Sequence, residues 1–186
     1  MRKVPKLIFS FIILTSVLLA NCKSEKKSEY YISELSMNRN LSNFTNVMNE
    51  KDTIKIIAEL YMEWWIRVDT LTITKKNNQI QLQATIKEDT TFEMKYQWRT
   101  NKLKPVIIEN TDNEFEQHFS QKIKRTKTNP KSGRIYKILS PNDTLIFYTK
   151  GLGDKGGEVK EYYKFMRNYY PNEKDFVPIG EKNENE

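Results

Sequence analysis

VDTLTIT (68–74), QIQLQATI (79–86) and TFEMKYQWR (91–99) form the stretch on which the fold turns. In the second segment Ile80, Leu82, Ala84 and Ile86 fall on one side, with glutamines and Thr85 on the other. In the third, Phe92, Met94, Tyr96 and Trp98 oppose Glu93, Lys95, Gln97 and Arg99. A period of two over this length marks strands buried on one face only. The turn-forming cluster Lys75-Lys76-Asn77-Asn78 is too short for a crossover, so the strands run as an antiparallel meander.

Reading outward, PVIIE (105–109) is a fourth strand, with Pro105 at its start where a missing donor is tolerated. Upstream, TIKIIAELYMEWW (53–65) places Ile57, Leu60, Tyr61 and Trp64 at i, i+3, i+4 and i+7, which predicts a helix capped by Asp52 or Thr53. Downstream, Thr111-Asp112-Asn113-Glu114 fits a capping box ahead of Phe115, Phe119 and Ile123. RIYKIL (134–139) and TLIFYT (144–149) flank Ser-Pro-Asn-Asp as a hairpin. EVKEYYKFMRNYY (158–170) predicts a last helix, stopped by Pro171. The expected class is α+β: an antiparallel sheet, four-strand meander plus hairpin, with helices packed on one face.

The chain has 186 residues, a formal charge of +7, one cysteine and one histidine. A lone thiol makes neither an internal disulfide nor a zinc site of several thiolates. Aromatic residues at 12% argue against wholesale disorder despite 30% charged residues. No metal and no cofactor is expected.

Residues 1–6 carry Arg2, Lys3 and Lys6 without an acid, and 7–20 (LIFSFIILTSVLLA) are apolar but for Ser10, Thr15 and Ser16. A basic start, an apolar run shorter than the ~20 residues of a membrane span and an abrupt polar exit read as a signal peptide. An uncleaved anchor is the alternative. The exit, Leu19-Ala20-Asn21-Cys22, resembles the lipobox of bacterial lipoproteins, with Asn21 where Gly, Ala or Ser is usual. The resemblance implies cleavage before Cys22 and its lipidation, the palmitate-bearing chains holding the protein to a bilayer. An ordinary signal peptide followed by a chance cysteine stays open. Cleavage leaves 165 residues with a side-chain charge of +4. Lys23 rather than Asp follows Cys22, which by analogy with enteric sorting implies the outer membrane, on its periplasmic or surface side. The organisation expected is a leader (1–21), lipidated Cys22 with a flexible tether (22–50), one α+β domain (51–180) and a disordered tail (181–186).

Candidate contacts follow from charge and aromatic patterns. Lys122, Lys124, Arg125, Lys127, Lys131 and Arg134 cluster without an acid between residues 121 and 134. They could meet anionic lipid, lipopolysaccharide or an acidic partner, or be merely solvated. A lipid-anchored protein gives no reason to expect nucleic acid. Gly151-Leu152-Gly153-Asp154-Lys155-Gly156 matches GxGxxG, but lacks a following parallel strand and reads as a flexible loop before the last helix. Glu59 and Glu63 read as a solvated ionic stripe, and His118, between Phe115 and Phe119, as structural. Neighbours on a helix point about 100° apart, so Trp65, Tyr162 and Tyr169 are expected to be partly exposed and available to a partner. Finally, the Asp-Thr steps at Thr53, Thr70, Thr90 and Thr144 resemble the O-glycosylation sequon of exported Bacteroidetes proteins, and equally suit turns and strand starts.

With no catalytic constellation in view, the expected function is a non-catalytic envelope lipoprotein, a binding or adaptor domain for a protein partner. A carrier or sensor of a lipid or small apolar ligand is the alternative, and an enzyme the third reading.

Overall fold

A computed structural model describes residues 31–61, 65–89, 97–109, 114–125 and 133–177. The described residues from Ser33 onward form one folded unit. That unit is α+β, with seven strands and four helices among the described residues. The helices are α1 (Met37–Asn40), α2 (Phe44–Val47), α3 (Glu114–Arg125) and α4 (Leu152–Tyr169). The strands are β1 (Thr53–Glu59), β2 (Arg67–Lys76), β3 (Gln79–Asp89), β4 (Trp98–Lys102), β5 (Val106–Ile108), β6 (Arg134–Leu139) and β7 (Thr144–Tyr148). All pairings are antiparallel, in the order β4-β3-β2-β1-β6-β7, with β5 continuing β4's place alongside β3.

The β2–β3 hairpin sits where the turn cluster predicts it. Asn77 and Asn78 take φ of 49° and 61°, the pair of positive values a two-residue type I′ turn requires. The alternation of both strands is preserved: Leu71, Ile73, Ile80, Leu82, Ala84 and Ile86 are buried, and Thr72, Thr74, Gln81 and Gln83 face the other way.

The predicted helix over 53–65 is a strand instead. Ile54, Ile56 and Ala58 also alternate, and pairing Ile56 with Leu71 and Ile138 brings them onto the apolar face. Threonine and isoleucine favour that outcome, because β-branching suits a pleated surface better than a helix. Asp52 therefore caps no helix; it accepts the Asn49 amide at 2.8 Å and closes the turn before β1. Trp98 is also reassigned, from an apolar strand face to the exposed side of β4, 43% exposed; residues 90–96 lie outside the described residues.

The expected tether is partly folded. From Ser33 onward the chain packs on the domain, burying Leu35, Met37, Leu41, Phe44 and Met48. Met37, Leu41, Phe44 and Met48 have helical spacing, masked in sequence by Asn and Ser between them. The Asp143 carboxylate accepts from the Met37 and Asn38 amides at 2.8 and 3.0 Å and from the Ser36 hydroxyl at 2.7 Å, so it caps α1 from the β6–β7 turn.

Helices α3 and α4 cover the apolar side of the sheet. Phe115 and Phe119 of α3 and Tyr162 and Phe165 of α4 meet Phe44 and Tyr136 in a continuous aromatic core. The other sheet face carries no helix among the described residues.

Candidate functional site

The segment proposed from sequence as a basic edge is largely neutralised where it is described. Lys122, only 6% exposed, lies 2.7 Å from Glu158 and also pairs with Glu161, one and two turns into α4 from Asp154. Arg134 of β6 pairs with Glu59 of the neighbouring β1. Sequence showed the cations as a run, whereas their acids come from distant elements. The side chains of Lys124 and Arg125, and Lys127 and Lys131, lie outside the described residues. Glu59 is thus a strand residue with a fixed partner rather than part of a helical stripe; Glu63 lies outside the described residues.

Lys122 lines a cleft of about 560 Å³ between the start of α4, the end of α3 and the β6–β7 hairpin. Ile135 and Phe147 contribute apolar walls, and Lys150, Asp154, Glu158 and Glu161 contribute charge of both signs. The glycine-rich segment forms one side, and it is helical rather than a loop. Gly151 takes the N-cap position of α4, Lys155 donates its amide to the Gly151 carbonyl at 2.9 Å, and Asp154 accepts the Lys150 amide at 2.8 Å. A GxGxxG nest would need those amides turned toward a ligand from a loop.

Near this cleft is a polar group centred on the buried Lys155. Lys155, 2% exposed, donates to the Arg134 carbonyl at 3.2 Å and sits 3.4 Å from the centre of the Tyr61 ring. Burial pushes its pKa down, opposed by the nearby Glu59. Tyr61 in turn donates to Glu59 at 3.0 Å.

The second polar centre is deeper. Arg67 forms a bidentate pair with Asp69, 2.7 and 2.8 Å, and Tyr162 donates to the same carboxylate at 3.0 Å. Arg67 also lies against the rings of Trp65, Tyr163 and Phe176. Burial opposes its charge, but hydrogen bonding and charge from Asp69 outweigh that and leave its pKa raised. Tyr162 is therefore not a partner contact: it is fully buried. Tyr163 is buried too, because the turn at Lys174–Phe176 folds back and covers the side of α4 that would otherwise be open. Trp65 is half-buried and donates to Glu88 at 2.7 Å; Tyr169 is half-buried against Phe115 and Phe165.

No protein-family model matches this chain, and no curated protein or solved structure matches it. Its candidate sites therefore stand on their own geometry. Among the described residues, no group of three or more His, Cys, Asp or Glu is placed to hold a metal ion. His118 stacks on Phe165 at 4.0 Å between centroids, and burial followed by the nearby Lys122 charge lowers its pKa to about 3. Of the Asp-Thr threonines, Thr53 and Thr144 are exposed, Thr70 is half-buried and Thr90 lies outside the described residues. Each preceding aspartate has a structural contact of its own: Asp52 and Asp143 in the turns above, Asp69 with Arg67, and Asp89 accepting the Gln97 amide at 3.1 Å.

Proposed function

We propose that this chain is a non-catalytic lipoprotein of the cell envelope, anchored through Cys22 and sorted to the outer membrane. Its α+β domain serves as a binding or adaptor module for a protein partner. The observation that supports a surface binder over a carrier is the packing beneath the sheet. Phe44, Phe115, Phe119, Tyr136 and Tyr162 fill the space where a carrier would hold its apolar ligand. The buried polar groups favour the same reading, since the Arg67–Asp69–Tyr162 and Lys155–Arg134 contacts are made within the domain. Glycosylation at the exposed Thr53 and Thr144 is compatible with an exported chain.

The test has two arms. Radioactive palmitate fed to cells is expected to label the protein, and Cys22→Ala is expected to abolish the label and release the chain from the membrane fraction. Crosslinking in cells is expected to recover one protein partner in fixed ratio. Native mass spectrometry of the detergent-extracted protein decides against this reading if it finds a lipid retained by the domain in place of a partner.

A further inference from the structure

We infer that the sheet face that carries no helix among the described residues docks flat on an anionic phospholipid bilayer. The pleat sends alternate residues to this side. By register they include Lys55 on β1, Lys76 on β2, Lys87 on β3, Lys102 on β4 and Lys137 on β6. Four are exposed and Lys137 is half-exposed. Between them lie Thr70, Thr72, Thr74, Gln81, Gln83 and Thr85, with the half-buried Ile57, Val68 and Leu139. The acids among the described strand residues of this face are Glu59, held by Arg134, and Asp89 at the end of β3. Glu109 follows β5 at the rim. A merely solvated face would mix both signs, as the exposed side of α4 does with Lys160, Glu161 and Lys164.

Apolar side chains project from the same side at both edges of the sheet. Trp98 and Ile107 stand on the β4–β5 edge, 43% and 52% exposed, and Ile146 on the β7 edge, 38% exposed. Lys87 lies 4.8 Å from the Trp98 ring centre, which keeps cation and indole together at the rim. Lysines reaching for phosphates around shallowly inserted apolar groups match the chemistry of a bilayer interface.

Tether length adds a third argument, and it alone rests on the Cys22 anchor. Ser33 and Leu35 are fastened to Asn142, and Ser36 to Asp143, beside Thr144 and Ile146. The chain from Cys22 to Ser33 can reach at most about 40 Å. A lipidated protein would hold this face within a short distance of the headgroups, where local concentration makes weak contacts count.

The probe is a phosphatidylcholine vesicle with or without about 30% phosphatidylglycerol, sedimented with the unlipidated chain from residue 23 onward. Among the described residues the buried core begins at Leu35, and the chain from residue 23 keeps all of it. Binding is expected only with phosphatidylglycerol and is expected to disappear by about 0.5 M salt. Lys55→Gln with Lys137→Gln is expected to weaken binding roughly 30-fold, and Lys87→Gln with Lys102→Gln similarly. Lys160→Gln with Lys164→Gln on α4 is expected to change it little. Equal loss from the α4 pair, no preference for phosphatidylglycerol, or binding confined to lipopolysaccharide overturns the inference. Because the probe carries no anchor, its failure is distinguishable from a failure of Cys22 to take palmitate.

Discussion

The Tyr170 hydroxyl takes the place of a neighbouring strand at Ala84. It accepts the Ala84 amide at 3.1 Å and donates to the Leu82 carbonyl at 3.0 Å, in the gap between the end of β4 and the start of β5. The gap is buried, so these backbone groups have no easy recourse to water. Tyr170→Phe keeps the ring in its packing against Phe176 and removes only the oxygen. The expected loss is about 2 kcal/mol, the cost of leaving the buried Ala84 amide unmet. Urea denaturation checks it: the midpoint should fall with an unchanged slope.

The Arg67–Asp69 pair predicts an asymmetry between breaking and replacing. Their side chains are 3% and 0% exposed. Asp69→Ala strands a buried guanidinium and deprives Tyr162 of its acceptor, with an expected cost of about 3–5 kcal/mol. Replacing the cluster with apolar groups, Arg67→Met, Asp69→Val and Tyr162→Phe together, should leave the domain more stable than Asp69→Ala alone. Thermal melts of the two variants decide it. A triple variant that melts below the single one would refute this account of the pair.

Both cases show which parts of the fold were legible beforehand. The β2–β3 hairpin was, because Asn77-Asn78 and two alternating segments agree at every level. β1 was not, because Ile54, Ile56, Ile57 and Leu60 satisfy two periods at once and only pairing with β2 and β6 decides between them. Burial of Tyr162 and Tyr163 together required the Lys174–Phe176 turn, for which periodicity offers no cue. The basic run was visible but its neutralisation was not, since Lys122 meets acids more than thirty residues away. The lysine face was hidden in a different manner: its members lie on five strands, and only the register collects them.

Asp143 predicts an acid-sensitive attachment of residues 33–40. Burial alone would raise its pKa, but hydrogen bonds from Ser140, Ser36 and the Asn38 and Met37 amides bring it down from 3.8 to about 2. A depressed folded-state value means the contribution is complete above the unfolded-state pKa and is lost as pH falls from 3.8 toward 2. Asp143→Ala is expected to cost about 1–2 kcal/mol near neutrality, the value of a cap. Protection from hydrogen exchange at the Met37 and Asn38 amides, relative to the unfolded chain at the same pH, should fall in the variant, and in the wild type at the acid end of that window.

His118 predicts a separate loss at milder acidity. Its ring packs between Phe119 and Phe165, and its Nε2 has no hydrogen-bond partner among the described residues. Burial is the largest cause of the depression from 6.5 to about 3, Lys122 adds to it, and Glu161 opposes it. The unfolded chain therefore takes up a proton that the folded domain refuses. Stability is complete above 6.5 and declines as pH falls toward 3, a loss that sets in well before the Asp143 window opens at 3.8. His118→Phe retains an aromatic ring on Phe165 and removes the titration. Wild-type denaturation midpoints should drop between about pH 7 and about pH 4, and those of the variant should drop less. Parallel profiles over that range would show that the histidine is protonated in the folded state and would refute its burial as the cause.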